Sequence, residues 1–368
     1  MDFNIHKLIM EAVFECRKTH GNTRLTESSF MSINNLNIVL PRVRNRIGMT
    51  LIEILVVISI IAILAGMLLP VIGAVRRRGQ VTATVLEIQN LKNAIEQYKH
   101  KFGDYPPDGS NRVVFQRHIR IAFPRIAPQE IANLNSLIVD SHNPAVTTLD
   151  AAEALVFFLG GFSDDPRFPF TAKGGPLTGN RSLGLFEFDP ARLSIDSTTI
   201  NIGTTSNPII VSLSTDETAL HNQASAERDI FPVYFPKSSD VPFVYFDSRT
   251  YMPRSIYTYN GYAVAPVQYP PAEWCAGNPH KHPVTAITGI ARPYRGDEAR
   301  QATAADAYPY KWVNSNTFQI IAAGLNNDFG GNLNPPNYKR YPSGFYYSEG
   351  DNSNITSFSQ GTLEDDIP

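Results

Sequence analysis

The sequence predicts an α+β fold: a long N-terminal helix, transmembrane in its first half, packed through its second half on a small antiparallel sheet, with large loop-rich insertions. Three observations carry this reading. Residues 54–75 form an apolar run without a charge, and as a helix they would span roughly 33 Å, the thickness of a hydrocarbon core. An apolar stripe at helical spacing follows at once. Beyond residue 100 the pattern breaks into short β-branched and aromatic segments between turn residues, and nearly all of the 27 prolines lie there.

The first half of the helix lies in "RNRIGMTLIEILVVISIIAILAGMLLP", residues 44–70. A buried core helix seldom runs this long without a polar face. A secretory signal has a shorter apolar run and a small-residue cleavage site, whereas here Arg76, Arg77 and Arg78 follow. Arg42, Arg44 and Arg46 flank the other end, so charge counting alone leaves the orientation open. Glu53 is the anomaly: a carboxylate at bilayer depth costs on the order of 2.5–3.5 kcal/mol, less near the interface, and such groups usually have a partner. A cut after Gly48 creates one in the new α-amino group of Met49, four residues before Glu53, offered by a neighbouring subunit.

The second half is the stripe Val81, Val85, Ile88, Leu91, Ile95, Tyr98 and Phe102, one face of a helix that Gly103 and Pro106–Pro107 end. Its role is core packing. In "DAAEALVFFLGG" (150–161) Asp150 is a capping residue with Glu153 three positions on, which predicts a short helix. Residues 207–213, 242–251 and 317–324 read as strands, and 344–350 as a weaker one. The excess over a minimal head falls in insertions between about 110 and 310.

With a net charge of −2 there is no basic excess to suggest nucleic acid, and no such partner is expected. Two cysteines, Cys16 and Cys275, exclude a disulfide framework, and Cys275 reads as a small buried hydrophobe. No nucleophile elbow, zinc-protease, phosphate-loop or dinucleotide signature occurs, so no enzyme is expected. The histidines of "NPHKHP" (278–283), at i and i+2, point to opposite sides of an extended loop, and "SDDP" (163–166) reads as a solvated turn. The C-terminal stretches "QIIAAGLNNDFGG" (319–331) and "LEDDIP" (363–368) are dense in oxygen ligands, the donor type that calcium takes.

The stretch "G-MTLIEILVVISIIAILAGMLLP" resembles the class III signal of type IV pilins and type II secretion pseudopilins. Gly48 matches the residue before the cut, and Glu53 the glutamate at the fifth mature position. Met49 stands where phenylalanine is usual. The resemblance implies a leader, residues 1–48, removed by a prepilin peptidase on the cytoplasmic face, with N-methylation of Met49. Residues 49–75 are then the transmembrane and filament-core helix, 76–103 its amphipathic continuation and 104–368 a periplasmic head. It also implies a single-pass inner-membrane protein that enters a homo-oligomeric filament with minor pseudopilins and an inner-membrane assembly platform, Glu53 guiding assembly. The leader is long for this signal; residues 3–20 would form an amphipathic helix, and a start at Met31 gives a more typical length.

"KFGDYPPD" resembles the turn after this helix in pseudopilins, and the C-terminus is similar to that of the major pseudopilin of type II secretion, where an "AG-x-D-G" turn and a closing "D-D-I" hold one calcium. That likeness implies a calcium site on Asn326, Asp328, Asp365 and Asp366, although Asn326 and Asn327 stand where Asp and Gly are usual and about thirty residues separate turn and tail. The expected function is a structural subunit of a type II secretion pseudopilus. The alternatives are a type IV pilus subunit, or a membrane-anchored periplasmic enzyme or carbohydrate-binding module.

Overall fold

The computed structural model describes residues 49–138, 149–178, 181, 184–203, 205, 208–215, 230–251, 257–259, 262–264, 289–301, 309–331 and 339–368. The leader with Gly48, Cys275 and the 278–283 segment lie outside the described residues. The chain divides into a unit ending at Ile63 and a unit from Leu64 to Pro368. In the first, the described residues are the start of α1 (Leu51–Phe102). All other elements belong to the second.

In the second unit α1 behaves as its stripe dictates. Ile88, Leu91, Ile95 and Tyr98 are buried, with Val81, Val85 and Phe102 packed at the margin of the same core. Gly103 ends the helix with φ +85°, its N–H donating to Lys99 O at 2.8 Å; only glycine adopts this left-handed geometry without cost.

The turn after α1 leads to two helices within the region that the sequence predicts as an insertion. α2 (Arg112–Ala122) is capped by Asn111, whose Oδ1 accepts from Val113 N at 2.9 Å and Val114 N at 3.2 Å. Its Val114, Phe115, His118 and Ile119 face inward. α3 (Pro128–Ile138) starts on a proline, whose missing N–H costs nothing at a first helical position. Glu130 of α3 holds the loop at 170–171, accepting from Phe170 N at 2.9 Å and Thr171 N at 2.8 Å. α4 (Ala154–Leu159) is buried throughout. The expected capping box stands before it: Asp150 Oδ1 accepts from Ala152 N and Glu153 N, and Glu153 Oε2 accepts from Asp150 N at 2.8 Å.

β1 (Ile195–Asn201) and β2 (Ile210–Ser214) make an antiparallel pair. β3 (Val244–Asp247) runs into the single turn α5 (Ser248–Tyr251). Further on come the pair β4 (Tyr257–Tyr259) and β5 (Tyr262–Val264), then β6 (Arg295–Ala299), β7 (Tyr310–Trp312), β8 (Phe318–Ala322), β9 (Arg340–Tyr341), α6 (Glu349–Asn352) and β10 (Ile355–Thr356). The central sheet has the order β10-β8-β3, antiparallel throughout, with Ile321 of β8 opposite both Val244 and Thr356. A second sheet pairs β6 antiparallel with β7 and parallel with β9.

The two faces of the central sheet bury separate cores, as strand alternation requires. Phe243, Tyr245, Phe318 and Ile320 face the core that holds α1 and α4. Val244, Phe246 and Ile321 face a second core with Tyr294, Trp312, Phe329 and Leu363. The turn after α1 is tied to β3 by polar groups. Tyr245 Oη donates to Pro106 O at 2.7 Å, and Asp108 accepts from Asp247 N at 3.0 Å. Arg249 bridges Asp247 at 2.5 Å and Asp104 at 2.6 Å. Burial pushes the Asp247 carboxyl up to about 7, even with the Arg249 guanidinium beside it.

One strand expectation is corrected. Residues 344–350 hold a turn and the start of α6 rather than a strand. Gly344 and Tyr346 both have positive φ, and Ser348 caps α6 in a reciprocal box with Asp351. The aromatic run Phe345–Tyr347 carries β propensity, but those two left-handed positions break an extended chain. The strand expected over 242–251 stops at Asp247, where the Asp108 and Arg249 contacts turn the chain into α5.

Candidate assembly and membrane site

α1 begins with a cap that the sequence spells out. Thr50 precedes the first helical residue, and Glu53 stands three positions on. Glu53 Oε2 accepts from Thr50 N at 2.8 Å and from Thr50 Oγ1 at 3.0 Å, while Glu53 N donates to Thr50 Oγ1 at 3.3 Å. This is a capping box: it satisfies N–H groups that the first turn of any helix leaves unpaired. The Thr-x-x-Glu spacing was the signal for it, and the charge-pairing reading of Glu53 passed over it. Within one chain Glu53 therefore has a neutral partner. Met49, immediately before the cap, is 65% exposed.

Every residue from Leu51 to Leu68 and from Val71 to Gly79 is exposed. Ile52, Ile61 and Leu64 are 68%, 58% and 55% exposed among the described residues. A contiguous apolar surface of this size marks a membrane or association site. Among the described residues one helix is long and apolar enough to cross a membrane.

Each of the four residues expected to hold calcium accepts from a donor of the chain. Asn326 Oδ1 accepts from Asp328 N at 3.1 Å, and Asp328 Oδ1 from Gly330 N at 2.8 Å. Asp365 Oδ2 accepts from Thr362 N at 3.0 Å and Thr362 Oγ1 at 2.7 Å. Asp366 Oδ2 accepts from Tyr341 Oη at 2.9 Å and Gln360 N at 3.2 Å. No group of three or more His, Cys, Asp or Glu suited to a metal occurs among the described residues, so Asp328, Asp365 and Asp366 do not converge.

Beside the turn after β8 a buried ammonium meets a carboxylate. Lys339 Nζ lies 2.5 Å from Asp351 Oδ1 and donates to Phe329 O at 3.0 Å, with both side chains almost wholly buried. Tyr294 Oη donates to the same Asp351 oxygen at 2.8 Å. Burial pulls the Lys339 ammonium below its ordinary range while Asp351 opposes that shift. Nothing in the local sequence around Lys339 announces this pair, because its partner is brought in by the fold. "SDDP" is the turn expected: Asp165 Oδ1 accepts from Arg167 N at 2.8 Å in an exposed loop.

A family model described as the prokaryotic N-terminal methylation motif matches residues 43–69. The chain is 36% identical over 64 residues to "Type IV major pilin protein PilE" of Neisseria gonorrhoeae, covering 17% of this chain and 38% of that protein. It is 34% identical over 64 residues to "Fimbrial protein" of Neisseria meningitidis serogroup A / serotype 4A, with the same coverage of each chain. The chain thus spans less than two fifths of the length of the curated relatives it matches. No solved structure matches it. The methylation motif and the exposed apolar helix it opens place the chain in the inner membrane as a single-pass protein with its head in the periplasm.

Proposed function

We propose that this chain is a structural subunit of a type IV pilus-like filament, assembled through the first half of α1. The observation that carries the reading is the methylation motif at residues 43–69, continuous with a helix whose apolar surface is uncovered and whose first turn holds Glu53. The matched relatives are a major pilin and a fimbrial protein, which supports the pilus reading over the secretion pseudopilus expected from the sequence. The pseudopilus preference leaned on a calcium layout at the C-terminus, and those acids serve other partners here. No catalytic role is assigned.

In this reading a prepilin peptidase cuts between Gly48 and Met49 and the new N-terminus is methylated. The ammonium of Met49 from one subunit then pairs with Glu53 of a neighbour, helped by an inner-membrane assembly platform. A buried charge without its partner is strongly destabilising, so the pair sets the register of assembly. The test has two parts. Mass spectrometry of the mature chain is expected to start at N-methyl-Met49; an intact leader or a cut after Gly66 overturns the processing step. Glu53→Gln keeps the acceptor that caps Thr50 but removes the charge, and it is expected to enter the membrane yet fail to assemble. Normal filaments from Glu53→Gln would leave the residue as a helix cap alone.

A further inference from the structure

We propose that Arg76, Arg77 and Arg78 form a collar that binds the phosphate headgroups of anionic phospholipids in the periplasmic leaflet. The inference rests on the membrane placement of α1 and not on the filament reading. All three arginines are exposed, immediately after an apolar run that is itself exposed through Val75. No residue three or four positions from them on the helix is acidic, and none of the three has an ion pair among the described residues.

Position decides the ligand. The head begins to cover α1 at Gln80, and Thr84 is the first buried residue, its Oγ1 lying 3.3 Å from Ser238 Oγ. From Val75 to Gln80 the helix rises roughly 7 Å. The headgroup layer on one side of a bilayer is about 5–7 Å thick, so the uncovered gap between apolar run and head matches it. The three arginines occupy that gap.

Orientation decides between a protein and a lipid surface. Consecutive helical residues are turned by about 100°, so the three side chains fan over about 200° of the circumference. A protein partner covers one face of a helix and meets at most part of this fan. A lipid leaflet surrounds the helix and presents phosphates on every side. A cation is drawn to phosphate, and a zwitterionic headgroup offsets that attraction with its own ammonium where an anionic one does not.

The experiment uses the full chain in phosphatidylcholine bilayers doped with spin-labelled lipids, reading the fraction of each lipid immobilised at the protein. Spin-labelled phosphatidylglycerol is expected to be favoured over phosphatidylcholine roughly fivefold, about the effect of one basic residue engaged at a time. The preference is expected to fall towards one in about 0.5 M salt, as screening requires. R76K/R77K/R78K retains it and R76Q/R77Q/R78Q abolishes it, with the near-ultraviolet dichroism of the head unchanged in both. Excess inorganic phosphate at constant ionic strength leaves it intact, because the collar reads phosphates presented at a surface. Absence of any preference in the wild type, its survival in the glutamine triple, or its loss to soluble phosphate would each overturn the proposal. None of these outcomes bears on the Gly48–Met49 cut or on Glu53.

Discussion

The two stretches of α1 obey opposite rules. From Leu51 to Gly79 apolar residues lie all round the helix until the arginines, and those whose burial is described are exposed. From Gln80 to Phe102 apolar residues keep to one stripe, and the head buries that stripe completely at Leu91, Ile95 and Tyr98. A helix that is apolar on every side needs an apolar solvent or other helices; a striped one needs a sheet. The difference teaches that the packing of the head and the proposed assembly of the chain are written into separate stretches of one element, so mutations should sort cleanly between them.

The sharpest separation comes from truncating one side chain in each stretch. Leu91→Ala is expected to lower the unfolding free energy of the head by about 2–5 kcal/mol, as buried leucines generally do. Ile61→Ala, at a position 58% exposed, is expected to change it by less than about 0.5 kcal/mol. Denaturant melts of the full chain in detergent measure both. A comparable loss from Ile61→Ala would show that the head depends on the uncovered stretch.

Tyr98 adds a pH dependence to the striped stretch. Its hydroxyl lies 2.8 Å from His118 Nε2, in a site closed by Phe158 and Phe162, and His118 Nδ1 has no partner there among the described residues. Burial, with a smaller push from the Arg249 charge, holds the imidazole down at about 3 against an ordinary 6.5. Between those values the unfolded chain binds the extra proton. Stability is therefore whole above about 6.5 and falls as the pH drops, by up to about 1.4 kcal/mol per unit. His118→Gln is expected to flatten that slope between pH 6.5 and 5.5. Asp108 and Asp247, both raised by burial, contribute slopes of opposite sign that the variant leaves in place, so the difference between the two proteins isolates the histidine. Equal slopes would mean that His118 is protonated in the folded head.

The glycines of α1 test its boundary rather than its cover. Gly103 at φ +85° has open space around it, so Gly103→Ala meets no clash and loses only the left-handed cap, about 1 kcal/mol. Gly73, inside the uncovered stretch, also has nothing within 4 Å, and Gly73→Ala is expected to leave the head unchanged. Thermal melts of the pair check this, and equal effects would move the helix end away from Gly103.

What the sequence made legible follows the same division. The stripe, its glycine stop, the Asp150–Glu153 box and the strands β3 and β8 are local patterns whose signal lies within ten or so residues. α2 was also written locally, in Asn111 and the inward set Val114, Phe115, His118 and Ile119, but its three arginines and flanking prolines masked it as insertion. The Thr50–Glu53 box was equally readable. The Lys339–Asp351 pair and the Arg249 bridge were not, because each joins segments that only the folded sheet brings together. The grouping of Asn326 and Asp328 with Asp365 and Asp366 rested on likeness of layout and not on a local pattern.

The C-terminal acids test that grouping through a calcium dependence expected to be nil. Three adjacent acids at 364–366 repel one another, and the calcium reading offered a cation to hold them. The structure offers donors instead: Thr362 to Asp365, Tyr341 and Gln360 to Asp366, and Leu363, fully buried, as the anchor of the tail. If these contacts hold the tail, Asp365→Ala/Asp366→Ala loses cap-type hydrogen bonds, about 0.5–2 kcal/mol, by the same amount in millimolar calcium and in chelator. If a cation holds it, chelator lowers the wild-type midpoint and leaves the variant alone, since binding to the folded state alone is what stabilises it. The expected outcome is the first. Lys339 already pairs with Asp351 beside the 328–330 turn, and its buried ammonium repels a second cation placed there.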